Sequence, residues 1–148
     1  MTNITIRPIT RGDEAEWRRM WTKYLEFYKT SVPEEVYAST FERLFCDGEF
    51  EPNCLIAEMD GNPVGLTHYI YHRTCWAVAN NCYLQDLYAD PEARGKGVGR
   101  ALIEAVYAKA DEVGAAAVYW MTQDFNETAR KLYDRIAKLT PFIKYQRG

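Results

Sequence analysis

Glycine at every second position, Gly95, Gly97 and Gly99, limits the possible folds of this chain more than any other feature. The residues before it, Tyr83 to Ala89, are β-rich. From about Gly97 to Val113 the spacing brings Val98, Leu102, Ala105, Val106 and the stem of Lys109 to one side, as a helix does. A glycine-rich link between strand and helix lets backbone N–H groups converge on an anion, and the positive end of the helix dipole adds to the attraction. Arg94, Lys96 and Arg100 put cations around the same place, so a diphosphate ligand is expected. The competing reading is a flexible turn followed by a solvated, basic helix start. Two common nucleotide motifs do not fit. A dinucleotide fingerprint counted from Gly95 needs glycine where Arg100 stands, and a P-loop needs Ser or Thr after Gly-Lys, whereas Lys96 is followed by Gly97.

The rest of the chain supplies the elements around this loop. Ile4, Ile6 and Ile9 alternate with polar residues as in a first strand. Trp17, Met20, Trp21, Tyr24, Leu25 and Tyr28 form one apolar stripe on a helix from about Asp13 to Lys29. Ser31-Val32-Pro33-Glu34 reads as a capping box with proline in the first turn of a second helix, whose buried face runs through Val36, Tyr37, Thr40, Phe41, Leu44 and Phe45. Leu55 to Met59, a turn at Asp60-Gly61-Asn62-Pro63, and Val64 to Tyr71 predict a β-hairpin, followed by a loop to about Asn80. Gly114 ends the helix after the glycine loop. Ala116 to Met121 predicts a short strand of the buried parallel kind, 126–139 a last helix, and 142–145 a last strand. A single domain over 1–148 follows, an α/β arrangement with a mixed sheet flanked by about four helices.

Composition excludes more than it selects. The formal charge of -3 argues against a direct nucleic-acid footprint, and no run approaches the roughly 20 apolar residues that cross a bilayer. The N-terminus lacks a basic-then-apolar leader, so a cytoplasmic protein is expected. Cys46, Cys54, Cys75 and Cys82 show no zinc-like spacing, and two histidines, His68 and His72, make a poor ligand set for a metal, so no metal is expected.

Three segments in order carry a resemblance. Leu84-Gln85-Asp86-Leu87-Tyr88-Ala89-Asp90-Pro91 is followed by Arg94-Gly95-Lys96-Gly97-Val98-Gly99, and further on by Asn126-Glu127-Thr128-Ala129-Arg130-Lys131-Leu132-Tyr133. Together they resemble the cofactor strand, the Arg/Gln-x-x-Gly-x-Gly/Ala signature and the Asn-x-x-Ala-x-x-Leu-Tyr helix of the GNAT N-acetyltransferases. Tyr24 to Tyr28, Thr40 to Leu44 and Tyr119 to Thr122 look most like the branch related to yeast histone and polyamine acetyltransferases. The resemblance implies a mostly antiparallel sheet with one splayed parallel strand pair. It also implies acetyl-CoA as cosubstrate and a small amine or basic peptide as acceptor. Cofactor contacts are implied for Leu87, Tyr88, Ala89, Arg94, Gly95, Lys96, Gly97, Val98, Gly99, Arg100 and Asn126. Tyr133 is implied as the general acid, and a homodimer is expected. The rival expectations are a non-catalytic acyl-CoA-binding regulatory domain and a nucleotide-binding module on the same loop.

The acceptor side is less defined. Tyr28, at a helix end, and Trp76, in a loop, could meet an ammonium by cation–π contact, whereas Tyr24 and Tyr37 read as core. Polyamine-type members of the family carry glutamate where this chain has Gln85, and an amide takes no proton at neutral pH. Strand alternation turns Asp86 away from Gln85 unless a bulge intervenes. The expectation is therefore a proton relay through water held at Gln85, or through His68, with no carboxylate touching the amine.

Overall fold

The computed structural model describes residues 3–148. Five strands form one sheet in the order β1-β2-β3-β4-β5, with β1 Ile4–Pro8, β2 Asn53–Met59, β3 Asn62–His72, β4 Asn81–Ala89 and β5 Ala117–Tyr119. The first four pair antiparallel, and β4 and β5 are parallel, joined across the helix that follows the glycine loop. The helices are α1 Glu14–Phe27, α2 Glu34–Arg43, α3 Val98–Glu112 and α4 Glu127–Ile136.

The sheet is covered on both faces. Along β2, Cys54 and Ile56 join Trp17, Met20, Trp21 and Phe41 of α1 and α2, while Leu55 and Ala57 join Val98, Leu102, Ile103 and Val106 of α3. Alternation thus sends successive residues of a central strand into two separate cores. Gly65 of β3 lets α3 come close. A Cβ there would lie 2.8 Å from the Tyr88 carbonyl oxygen and 2.9 Å from Val98 Cγ1.

Local expectations at several places are corrected. The N-cap of α2 is Pro33 rather than Ser31, with no side-chain capping bond, and Glu34 pairs with Arg18 at 2.9 Å. Proline's extended backbone already offers its carbonyl to Val36. The strand after Gly114 covers three residues, and Ala117 and Tyr119 are exposed rather than buried. It is an edge strand paired on one side only, so nothing covers its outer side. No strand forms over 142–145. After α4 the chain is irregular, and Phe142, Ile143 and Tyr145 are exposed, because so short a β5 offers few backbone groups to pair with.

Candidate functional site

The parallel pair comes apart where the sequence puts the matched segments. β4 and β5 pair only at Asn81↔Ala117, Cys82↔Val118 and Tyr83↔Tyr119, while β4 runs on to Ala89. From Leu84 onward the edge of β4 facing β5 carries no strand, so Leu87 and Ala89 turn backbone groups into a gap. Those of Tyr88 turn instead to β3, its carbonyl oxygen lying beside Gly65, because alternate residues of a strand bond to opposite neighbours. At the end of that edge a 3-10 turn, Pro91–Ala93, leads into the glycine loop. Gly95 and Gly97 have φ values of 77 and 89, a left-handed conformation that side chains resist, and a Cβ on either would meet nothing within 4 Å. Gly97 is the N-cap of α3, no side chain caps the helix, and the first intrahelical bond runs from Ala101 N–H to Gly97 O. The N–H groups of Val98, Gly99 and Arg100 therefore have no helical acceptor. Arg94, Lys96 and Arg100 are exposed around them, with Arg100 also bonded to Glu104 at 2.8 Å. These residues fit a ligand with a phosphate end and an extended arm able to bond like a strand.

The loop is anchored from behind. Asp90 is buried, accepts two bonds from Arg19 at 3.0 and 3.1 Å, and accepts the Tyr88 hydroxyl at 2.8 Å. α1 thereby fixes the point where β4 turns into the loop.

A bulge on β4 changes which side chains face the gap. His68 of β3 pairs with Asp86, and Tyr69 pairs with Leu84, so Gln85 is the extra residue. Before the bulge Cys82 and Leu84 face α3, and after it Asp86 and Tyr88 face α1. Gln85 is exposed. Asp86 instead lies against His68, with its Oδ2 2.7 Å from His68 Nδ1, and Trp17 Nε1 donates to His68 Nε2 at 2.9 Å. The bulge is the exception under which strand alternation no longer turns Asp86 away: one inserted residue flips the alternation and brings Asp86 to the α1 face. The sequence named His68 and Trp17 only separately, and no spacing signal joins residues 17, 68 and 86.

Tyrosines line the same side. Tyr24 and Tyr28 of α1 touch with ring centroids 5.0 Å apart, and Tyr83 stacks on Tyr119 at 4.9 Å. The Tyr119 hydroxyl lies 2.6 Å from His72 Nε2. Burial, with the Asp86 carboxylate close by, pushes the Tyr24 phenol up, and burial raises Tyr28 as well. Tyr133 of α4 is pushed up to about 12 by burial and, secondarily, by Tyr28. Its ring packs edge-on against Trp120 at 5.4 Å. A phenol in that range stays protonated at neutral pH and can act as a proton donor but not as a base. Asn126 caps α4, its side-chain oxygen accepting from Ala129 N–H at 3.5 Å. Trp76 is not drawn in. It stands 88% exposed in the β3–β4 loop. No group of side chains suited to a metal occurs among the described residues.

Residues 17–137 match the family described as Acetyltransferase (GNAT) family. The chain is 40% identical over 146 residues to a D-amino-acid N-acetyltransferase of Saccharomyces cerevisiae, covering 98% of this chain and 91% of that protein. It is 33% identical to a thialysine N-epsilon-acetyltransferase of Sus scrofa, covering 90% and 82%. The crystal structure of a ribosomal-protein-alanine N-acetyltransferase from Brucella melitensis biovar Abortus 2308 superposes with a TM-score of 0.80. There the identity is 23%, and 99% of each chain is covered.

Proposed function

The chain belongs to the acetyltransferase (GNAT) family, and from that premise we propose that it acetylates the primary amine of a free amino acid or a molecule of that size. It is an acetyl-CoA-dependent N-acetyltransferase; the identity of the acceptor is our own reading. Two relatives of at least 33% identity are named for acceptors of amino-acid type, one a D-amino acid and the other thialysine. The observation that carries the reading is the gap beyond Tyr83, where an unpaired strand edge and a tyrosine-lined face meet. Tyr24, Tyr28, Tyr83 and Tyr119 suit a small ammonium compound, since aromatic faces attract cations.

Acetyl-CoA supplies an activated acetyl group. The chain's own residues would bind and orient it. The N–H groups of Val98, Gly99 and Arg100 with the Arg94, Lys96 and Arg100 side chains hold the phosphates, and the backbone of Leu87 and Ala89 holds the arm. A backbone N–H at Leu87 stabilises negative charge developing on the acetyl oxygen. The amine attacks directly, and Tyr133 donates a proton to the departing sulfur. A phenol at about 12 is a weaker acid than a thiol near 8.5, so that transfer relies on position rather than acidity. Asn126 contributes by capping the helix that carries Tyr133.

A homodimer and a cytoplasmic location complete the reading. The open outer edge of β5 and the exposed Leu139, Phe142, Ile143 and Tyr145 support the first. For the second, no helix among the described residues is long and apolar enough to cross a membrane. The test of function is an amine panel read by free CoA release, with D- and L-amino acids, thialysine, polyamines, aminoglycosides and a basic peptide. Fastest turnover with a free amino acid supports the reading. Preference for a polyamine or a peptide refutes the acceptor, and no turnover with any amine revives the non-catalytic alternative.

A further inference from the structure

We propose that Asp86 takes the proton of the acceptor ammonium and that Trp17 and His68 are positioning residues that hold its carboxylate in place. The inference rests on the acetyl-transfer reading and deepens it. An indole N–H can only donate, so the 2.9 Å bond from Trp17 Nε1 makes His68 Nε2 an acceptor. The remaining ring nitrogen, Nδ1, therefore carries the hydrogen and donates it to Asp86 Oδ2 at 2.7 Å. Both ring nitrogens are committed and the imidazole is 3% exposed, so the geometry fixes a single neutral tautomer. His68 cannot accept a further proton without breaking its bond to Trp17, which removes it as the terminal base.

Asp86 is free to act where His68 is not. Its Oδ2 accepts from His68 and the Tyr24 hydroxyl reaches the same carboxylate, and of the roughly four lone-pair sites of a carboxylate one on Oδ1 serves the acceptor. The Thr67 hydroxyl donates to the Asp86 carbonyl at 2.8 Å and pins the bulge that turns the side chain this way. The titratable groups around the carboxylate are His68 of β3, Tyr24 and Tyr28 of α1, Tyr83 of β4 and Cys54 of β2. None of them is a cation that would quench it.

The proton balance closes. An N–H bond of the ammonium breaks as an O–H bond forms at Asp86 Oδ1, while Oδ2 keeps accepting from His68. The freed lone pair forms the new C–N bond as the C–S bond breaks. The second amine proton replaces the one Tyr133 gives to sulfur, and the proton on Asp86 leaves to water. One proton is released per amide formed.

The test compares Asp86→Asn, Gln85→Ala, His68→Phe and His68→Asn in the intact chain, with nitrogen NMR of the wild-type His68 ring. At pH 7 the ring should be protonated at Nδ1 and bare at Nε2. Asp86→Asn should lower kcat/KM about 100-fold, within the usual acid–base range, with acetyl-CoA affinity within about twofold by calorimetry. Its residual rate should climb about tenfold per pH unit toward the free amine near pH 10, more steeply than wild type. His68→Asn, whose amide can replace the Nδ1–H donor, should recover at least about tenfold over His68→Phe. A ring protonated at Nε2, a larger loss at Gln85→Ala than at Asp86→Asn, or parallel pH profiles overturns the chain and leaves acetyl transfer standing. A wild-type protein that acetylates no amine overturns both.

Discussion

Replacing Gly65 by alanine tests whether α3, and with it the glycine loop, is placed by close approach to the sheet. The new methyl would sit 2.8 Å from the Tyr88 carbonyl oxygen, 2.9 Å from Val98 Cγ1 and 3.3 Å from Leu102 Cδ1. Two of these atoms belong to the first turns of α3, and the third is main chain of β4, which cannot rotate away. Helix and strand must therefore separate by roughly half an ångström, a typical overpacking strain of about 1–3 kcal/mol. For a chain of 148 residues that corresponds to a drop in Tm of roughly 3–10 °C. Because Val98 opens α3 immediately after Gly97, the shift also displaces the unpartnered N–H groups, and acetyl-CoA affinity should weaken along with stability. Gly99→Ala is the control: its Cβ would meet only Leu132 Cδ2 at 3.7 Å, ordinary contact, and alanine is the better helix former. Thermal unfolding and calorimetric titration of both variants read the two effects. A Gly65→Ala variant as stable as wild type, or no more perturbed than Gly99→Ala, refutes the close-approach argument.

Tyr133→Phe keeps the packing on Trp120 and should lower kcat roughly ten- to a thousandfold at near-normal acetyl-CoA affinity; an unchanged kcat returns the residue to a packing role. Gly97→Glu puts bulk, negative charge and a strained φ of 89 beside the free amides, and should weaken acetyl-CoA at least about tenfold, some 1.4 kcal/mol, by calorimetry on folded protein. Asp13, bonded by Arg7 at 2.7 Å, is held down to about 2 from 3.8, so it contributes stability that is present above pH 4 and lost as pH falls toward 2. Asp13→Asn should cost about 1–2 kcal/mol at pH 7 and flatten the acid limb of a denaturation series between pH 4 and 2; an unchanged acid limb contradicts the assignment.

Much of the fold follows from local sequence. The stripe from Trp17 to Tyr28 demands a helix wherever it is placed, because residues three and four apart share a face regardless of what they pack against. The hairpin turn at Asp60 and Gly61, both with positive φ, and the alternate glycines before α3 are likewise local, since they answer to backbone sterics within a few residues. They place the anion loop at a helix start and Tyr133 on α4 without reference to the rest of the molecule. The chemistry of the acceptor side could not be read in this way. Whether Gln85 or Asp86 faces α1 depends on the register between β3 and β4, and a strand has no preferred face until its partner is fixed. The same holds for β5, whose apolar run predicts burial but whose place at the sheet edge leaves it short and exposed. Residues 17, 68 and 86 lie on three different elements, and only packing α1 onto the bulged sheet brings an indole, an imidazole and a carboxylate into one line of hydrogen bonds. Periodicity is a property of the chain, but contact between distant segments is a property of the fold.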